Sequence, residues 1–153
     1  MQFFKKAAAV GVTTALVSLA GVSQAGALSY SGSSCEDVRP CLSLYYNSNQ
    51  QGSHTSFVGY GDLDSLAGYT FASNSNGKGL PVKNNAASAF FLSKTPDESA
   101  IIYFNSNQGG ACDWLWAQGG RYSIANRLQN TYNENASLRV KDGEAGRYDC
   151  YQF

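Results

Sequence analysis

Histidine occurs once in this chain, methionine once and proline three times, and charged side chains make up only 14% of its 153 residues. Each scarcity removes a class of function. A lone histidine, His54, and the lack of any Cys-x-x-Cys pair argue against a structural zinc site. No Gly-x-Ser-x-Gly elbow frames a serine, so nothing in the spacing selects a Ser-His-Asp triad. Carboxylates for glycoside chemistry could be drawn from Asp62, Asp64, Asp113 and Glu134, again without a discriminating pattern. The expectation is a protein that is not an enzyme. Cationic residues are scattered singly, which argues against nucleic acid or an anionic membrane as partner. No apolar run reaches the length of a membrane span.

What is present begins with a leader. Lys5 and Lys6 precede an apolar stretch from Ala7 to Ala20, and Ser23-Gln24-Ala25 supplies a small-residue cleavage pattern. This three-part layout predicts a signal peptide over 1–25, with cleavage after Ala25 or Ala27, and a secreted mature chain over 26–153. Removing Lys5 and Lys6 leaves nine cationic against eleven acidic side chains, a net charge of −2. The remaining length suits a single domain. Four cysteines follow the leader, an even number in an oxidising compartment, which predicts two disulfides. Three pairings are possible. The local one joins Cys35 to Cys41, and Cys112 with Cys150 would then tie the C-terminal tail to the second half of the chain.

The chain also repeats itself. YYNSNQQG (Tyr45–Gly52) and YFNSNQGG (Tyr103–Gly110) match at six of eight positions, 58 residues apart. A second pair, NNAASAFF (Asn84–Phe91) and NENASLRV (Asn133–Val140), recurs at an offset of 49. Apolar and polar residues alternate around LSLYY, SAFFLS, AIIYF and SLRV, which predicts half-buried strands. Glycine and asparagine clusters separate them. No segment after the leader carries a capped helical period; Asp62–Gly68 allows one short turn at most. A unit of about four strands cannot bury an apolar face alone, so two units are expected to pack as an all-β sandwich. The boundaries expected are about 42–93 for the first unit, about 100–141 for the second and 142–153 for a tail.

These residues carry a resemblance. An aromatic pair, a glycine six residues after its second member, then Asp62-Leu63, Phe71 and Asn84-Asn85-Ala86-Ala87-Ser88 resemble a βγ-crystallin Greek key. Tyr103-Phe104, Gly110 and Asn133 to Ser137 repeat the pattern. Gln50 and Gln108 stand where such motifs commonly carry an aromatic residue. With the leader and the N-terminal CxxxxxCLSLYYN, the chain resembles the secreted actinobacterial proteins grouped with the Streptomyces metalloproteinase inhibitor. The resemblance implies a βγ-crystallin-like sandwich of two Greek keys, and an extracellular protease, of the metalloprotease class, as partner.

Two site readings come with it. The crystallin-type loops Asn84, Asn85, Ser88 and Asn133, Glu134, Ser137 offer amide, hydroxyl and one carboxylate oxygen to calcium. The same residues also fix turns through side-chain to backbone hydrogen bonds. GGACDWLWAQGG (Gly109–Gly120) is the segment nominated for protease contact through Cys112, Asp113, Trp114, Leu115 and Trp116. Alternation equally allows a core strand there, with Trp114 and Trp116 on one face. In the inhibitory relatives a short local disulfide closes this loop, whereas here only Cys150 is available to Cys112. The leading expectation is a monomeric, secreted peptidase-inhibitor-like protein with no cofactor. The alternatives are a calcium-binding or structural extracellular domain and a cell-wall or carbohydrate binder.

Overall fold

The computed structural model describes residues 28–35, 40–144 and 149–153. The signal-peptide expectation lies outside them. Among the described residues every regular element is a strand, ten in all, so no helix is long and apolar enough to cross a membrane. In chain order these are β1 (Ser29–Gly32), β2 (Cys41–Tyr45), β3 (His54–Val58), β4 (Gly61–Leu63) and β5 (Ser88–Leu92). There follow β6 (Ser99–Asn105), β7 (Gly109–Trp116), β8 (Tyr122–Ala125), β9 (Ser137–Lys141) and β10 (Cys150–Gln152). The turn at Asp62–Gly68 forms no helix; its Leu66 is buried.

Two five-stranded sheets pack face to face, in the orders β1-β3-β2-β5-β8 and β10-β7-β6-β9-β4. Each repeat gives up one strand to the other sheet: β4 of the first pairs with β9 of the second, and β8 of the second pairs with β5 of the first. The result is two interlocked Greek keys related by a pseudo-twofold axis. Leu42, Leu44, Phe57, Phe91, Ile102, Leu115 and Leu138 fill the space between the sheets, each essentially inaccessible. Burying a side chain of that size contributes about 1.5–3 kcal/mol before the entropy of ordering it.

The duplicated octet is a duplicated backbone. Asn49, Gln50 and Gly52 have φ of 59°, 55° and 76°; Asn107, Gln108 and Gly110 have 57°, 54° and 77°. A Cβ on Gly110 would meet Asn105 Nδ2 at 2.8 Å, and one on Gly52 would meet Asn47 Nδ2 at 3.0 Å. In both copies the asparagine amide therefore lies over a residue that has to be glycine. The glutamines at the aromatic position reach across the sheet instead. Gln50 Nε2 donates to Ala125 O at 2.9 Å and Gln108 Nε2 to Leu138 O at 3.4 Å.

Both disulfides pair as expected, Cys35 with Cys41 and Cys112 with Cys150. Each lies beside a strand that the repeat alone does not call for. β1 adds antiparallel to β3, and β10 adds parallel to β7. The four strands at the sheet edges, β1, β8, β10 and β4, are only three or four residues long and are the shortest of the ten.

Candidate functional site

The two Asn/Ser loops meet at the pseudo-twofold axis and bond each other reciprocally. Asn84 N–H donates to Asn135 O and Asn133 N–H to Ala86 O, both at 2.9 Å. Asn84 and Asn133 sit in the left-handed region, at φ of 63° and 54°, a conformation asparagine tolerates better than most residues. Ser88 Oγ donates to Asn47 O at 2.6 Å and accepts from Gln50 N–H at 3.0 Å. Ser137 Oγ does the same with Asn105 O and Gln108 N–H, at 2.6 and 3.0 Å. Each buried serine thus pins the opening hairpin of its own key to the closing strand.

The structure regroups the calcium candidates across the two keys. One hollow of about 360 Å³ is lined by Lys83 and Asn84 from the first key and by Asn105, Ser106, Glu134 and Ala136 from the second. The pseudo-twofold equivalents of these side chains are Tyr132, Asn133, Asn47, Ser48 and Asn85. Sequence reasoning had placed Asn84 with Asn85 and Ser88, and Glu134 with Asn133 and Ser137. Instead, Asn84 and Glu134 share a hollow. Lys83, the residue just before the first motif, was not singled out at all, yet its Nζ lies 3.2 Å from Ser106 Oγ.

This donor set does not fit calcium well. The cation needs six to eight oxygens, preferably with formal negative charge among them. The hollow with Glu134 already holds an ammonium group, and the equivalent side chains around Asn133 carry no formal charge. The Ser88 and Ser137 hydroxyls each donate to a backbone carbonyl and accept a backbone N–H, the bonding of a residue that fixes a turn. Asn135, fully buried between the motifs, accepts from Ala86 N–H with Oδ1, and only an unpartnered donor, Nδ2, is left.

The middle of the segment nominated for protease contact is a buried strand, the second of the two readings that its alternation allowed. Cys112, Asp113 and Leu115 are fully buried and Trp114 is nearly so; only Trp116 is half-buried. The reason is the alternation noted in the sequence, with β7 paired to β6 on one side and β10 on the other. Leu115 points into the inter-sheet core. Trp114 and Trp116 lie on the outer face, stacked at 5.1 Å, with Trp114 Nε1 donating to Ser99 Oγ at 2.9 Å. Most of this aromatic pair is therefore withdrawn from a sugar ring as well. Asp113 accepts from the N–H groups of Gln129, Asn130 and Thr131 and from Thr131 Oγ1 at 2.7–3.2 Å. Such charge-assisted bonds make it the anchor of the 129–131 turn.

The other carboxylates are engaged separately. Asp62 forms a two-pronged pair with Arg139, Oδ1 to Nε at 2.6 Å and Oδ2 to Nη2 at 2.7 Å, which ties β4 to β9. The bonds from Arg139 hold the Asp62 carboxyl below its ordinary pKa. The pair lines an open groove of about 510 Å³ with Tyr60, Lys141 and Asp142, and neutralises itself. Glu98, which follows Asp97 at the end of a turn and carries no motif, is fully buried. It accepts from Tyr60 Oη, Lys94 N–H and Thr95 Oγ1. Burial pushes its pKa up, but the hydroxyl and backbone donors outweigh burial and hold it below the ordinary value. Burial and the Glu98 charge push the Tyr60 phenol well up. His54 Nε2 lies 3.0 Å from Ser33 O, and its ring packs on Tyr45.

A solved structure described as "Evolution of the eye lens beta-gamma-crystallin domain fold" matches with a TM-score of 0.52 and 18% identity, over 76% of this chain and 99% of that one. The fold is that of a βγ-crystallin domain. The N-terminal domain of protein S also matches, at a TM-score of 0.43 and 20% identity, over 69% of this chain and 99% of that one. No protein-family model and no curated protein sequence matches the chain. The likeness to a βγ-crystallin domain is therefore one of fold.

Proposed function

We propose that the mature chain is a secreted, monomeric structural domain of βγ-crystallin type, with no catalytic role, held by anchored edges rather than by bound calcium. The observation that carries this reading is the treatment of the sheet edges. Exposed edge strands template pairing with other chains, and short or covered edges prevent it. Here all four edges are the shortest strands, and a disulfide lies beside each added strand, β1 and β10. The disulfides themselves support an oxidising, extracellular location. Sedimentation and thermal unfolding of the oxidised protein test the proposal together. A monomer is expected, with one melting temperature in calcium and in chelator and a much lower one after reduction. A calcium-dependent rise of several degrees would sink it.

Protease inhibition, implied by the inhibitor-like resemblance, keeps the support of a rigid, disulfide-linked scaffold. It has lost its nominated contact segment, because Cys112–Leu115 are buried. Titration against a thermolysin-like metalloprotease, with a subtilisin beside it, addresses this reading. Stoichiometric loss of activity would revive it and require a contact surface elsewhere on the domain.

A further inference from the structure

From the hollow between the two keys we infer that Lys83 is a built-in cation, occupying by covalent tether the position at which a divalent ion would otherwise be held. This rests on the reading of a domain stabilised without calcium. Lys83 has little freedom to be elsewhere. Before it, Val82 is fully buried and its N–H donates to Tyr69 O at 2.9 Å. After it, Asn84 is fixed at φ 63° by its bond to Asn135 O. Its own carbonyl accepts from Asn85 Nδ2 at 3.1 Å. The side chain then crosses from the first key to the second, where Nζ meets Ser106 Oγ at 3.2 Å on the wall shared with Glu134.

The pseudo-twofold axis supplies the comparison. At the equivalent positions Lys83 is replaced by Tyr132 and Glu134 by Asn85. The ammonium and the carboxylate are present together in this hollow and absent together from the equivalent positions of the other key. At the equivalent positions the cation comes from elsewhere in the chain: the Arg127 guanidinium lies over the Tyr132 ring, 4.4 Å from its centroid. A calcium ion entering beside Lys83 would face a like charge a few ångströms away, a repulsion sufficient to weaken binding by about tenfold or more. The lysine also links the keys at the point where a bridging ion would.

Lys83→Met, Lys83→Arg and, as a control for lost charge, Lys94→Met are to be compared with the unaltered protein by calcium titration, terbium luminescence and thermal unfolding. Lys83→Met is expected to gain one saturable site, at least tenfold tighter than any in the unaltered protein, and a melting temperature that rises with calcium. Lys83→Arg and Lys94→Met are expected to gain neither, and adding Glu134→Gln to Lys83→Met to abolish the new site. If Lys83→Met binds calcium no better than Lys94→Met does, the inference fails while the metal-independent reading stands. If the unaltered protein binds calcium as tightly as Lys83→Met, both fail. A gain that survives Glu134→Gln would place the ion outside this hollow and overturn the inference as well.

Discussion

Gly77 shows how much a single residue can decide. A Cβ there would lie 2.4 Å from Tyr46 Cγ, and its φ is 93°, so the loop after Phe71 closes under the tyrosine ring only because nothing projects from this position. Gly77→Ala is expected to destabilise by about 2–4 kcal/mol, from the clash and the backbone strain together. Gly79→Ala, with a φ of 81° but open space around it, should cost distinctly less; chemical denaturation of the two variants checks the order. Glu98 makes a pH prediction. Its folded pKa lies below its ordinary value of 4.5, so between the two the unfolded chain binds more protons and stability rises with pH. Its contribution is complete above about pH 4.5 and is lost as pH falls through the folded pKa. Glu98→Gln should be less stable at neutral pH and should lose less on acidification. Parallel acid-limb slopes for the two proteins would show that Glu98 is not the group responsible. Both residues were invisible in the sequence: one is a glycine among many, the other the second of two adjacent acids, with donors 38, four and three residues away.

At the level of elements, the strands of the repeat were readable, since LSLYY, SAFFLS, AIIYF and SLRV coincide closely with β2, β5, β6 and β9. The two outer strands were not. β1 and β10 are short and largely exposed, and β10 pairs in parallel, which no local pattern announces. Beyond their ladder hydrogen bonds, each has a disulfide next to it. The Cys112–Cys150 bridge closes a loop with a sequence separation of 38, and Cys35–Cys41 one of six. In the chain-entropy account the first contributes about 4 kcal/mol and the second about 2. Cys150→Ser should therefore lower stability more than Cys35→Ser. It should also free β10 from the edge of β7, so that its melting temperature depends on protein concentration. Equal losses in the two variants, by calorimetry at several concentrations, would show that loop length does not govern them.

Across the whole molecule, the exchange of β4 and β8 between sheets puts the closing loops of both keys on one axis. Alternation, glycine-rich turns and the duplicated octet were enough to predict an all-β sandwich of two repeated units, because period-two burial and glycine-dependent turns are local properties of the chain. The Greek-key topology came from the motif resemblance. The tertiary structure alone decided the grouping of functional side chains. Strand exchange set Asn84 beside Glu134 rather than beside its own motif partners, and brought Lys83 to the same hollow. It also decided that Cys112–Leu115 are all buried: Leu115 enters the inter-sheet core, while Cys112 and Trp114 pack with Ile101 and Tyr103 on the outer face, between neighbouring strands on both sides. Periodicity says which residues share a face of a strand; only packing says what that face meets.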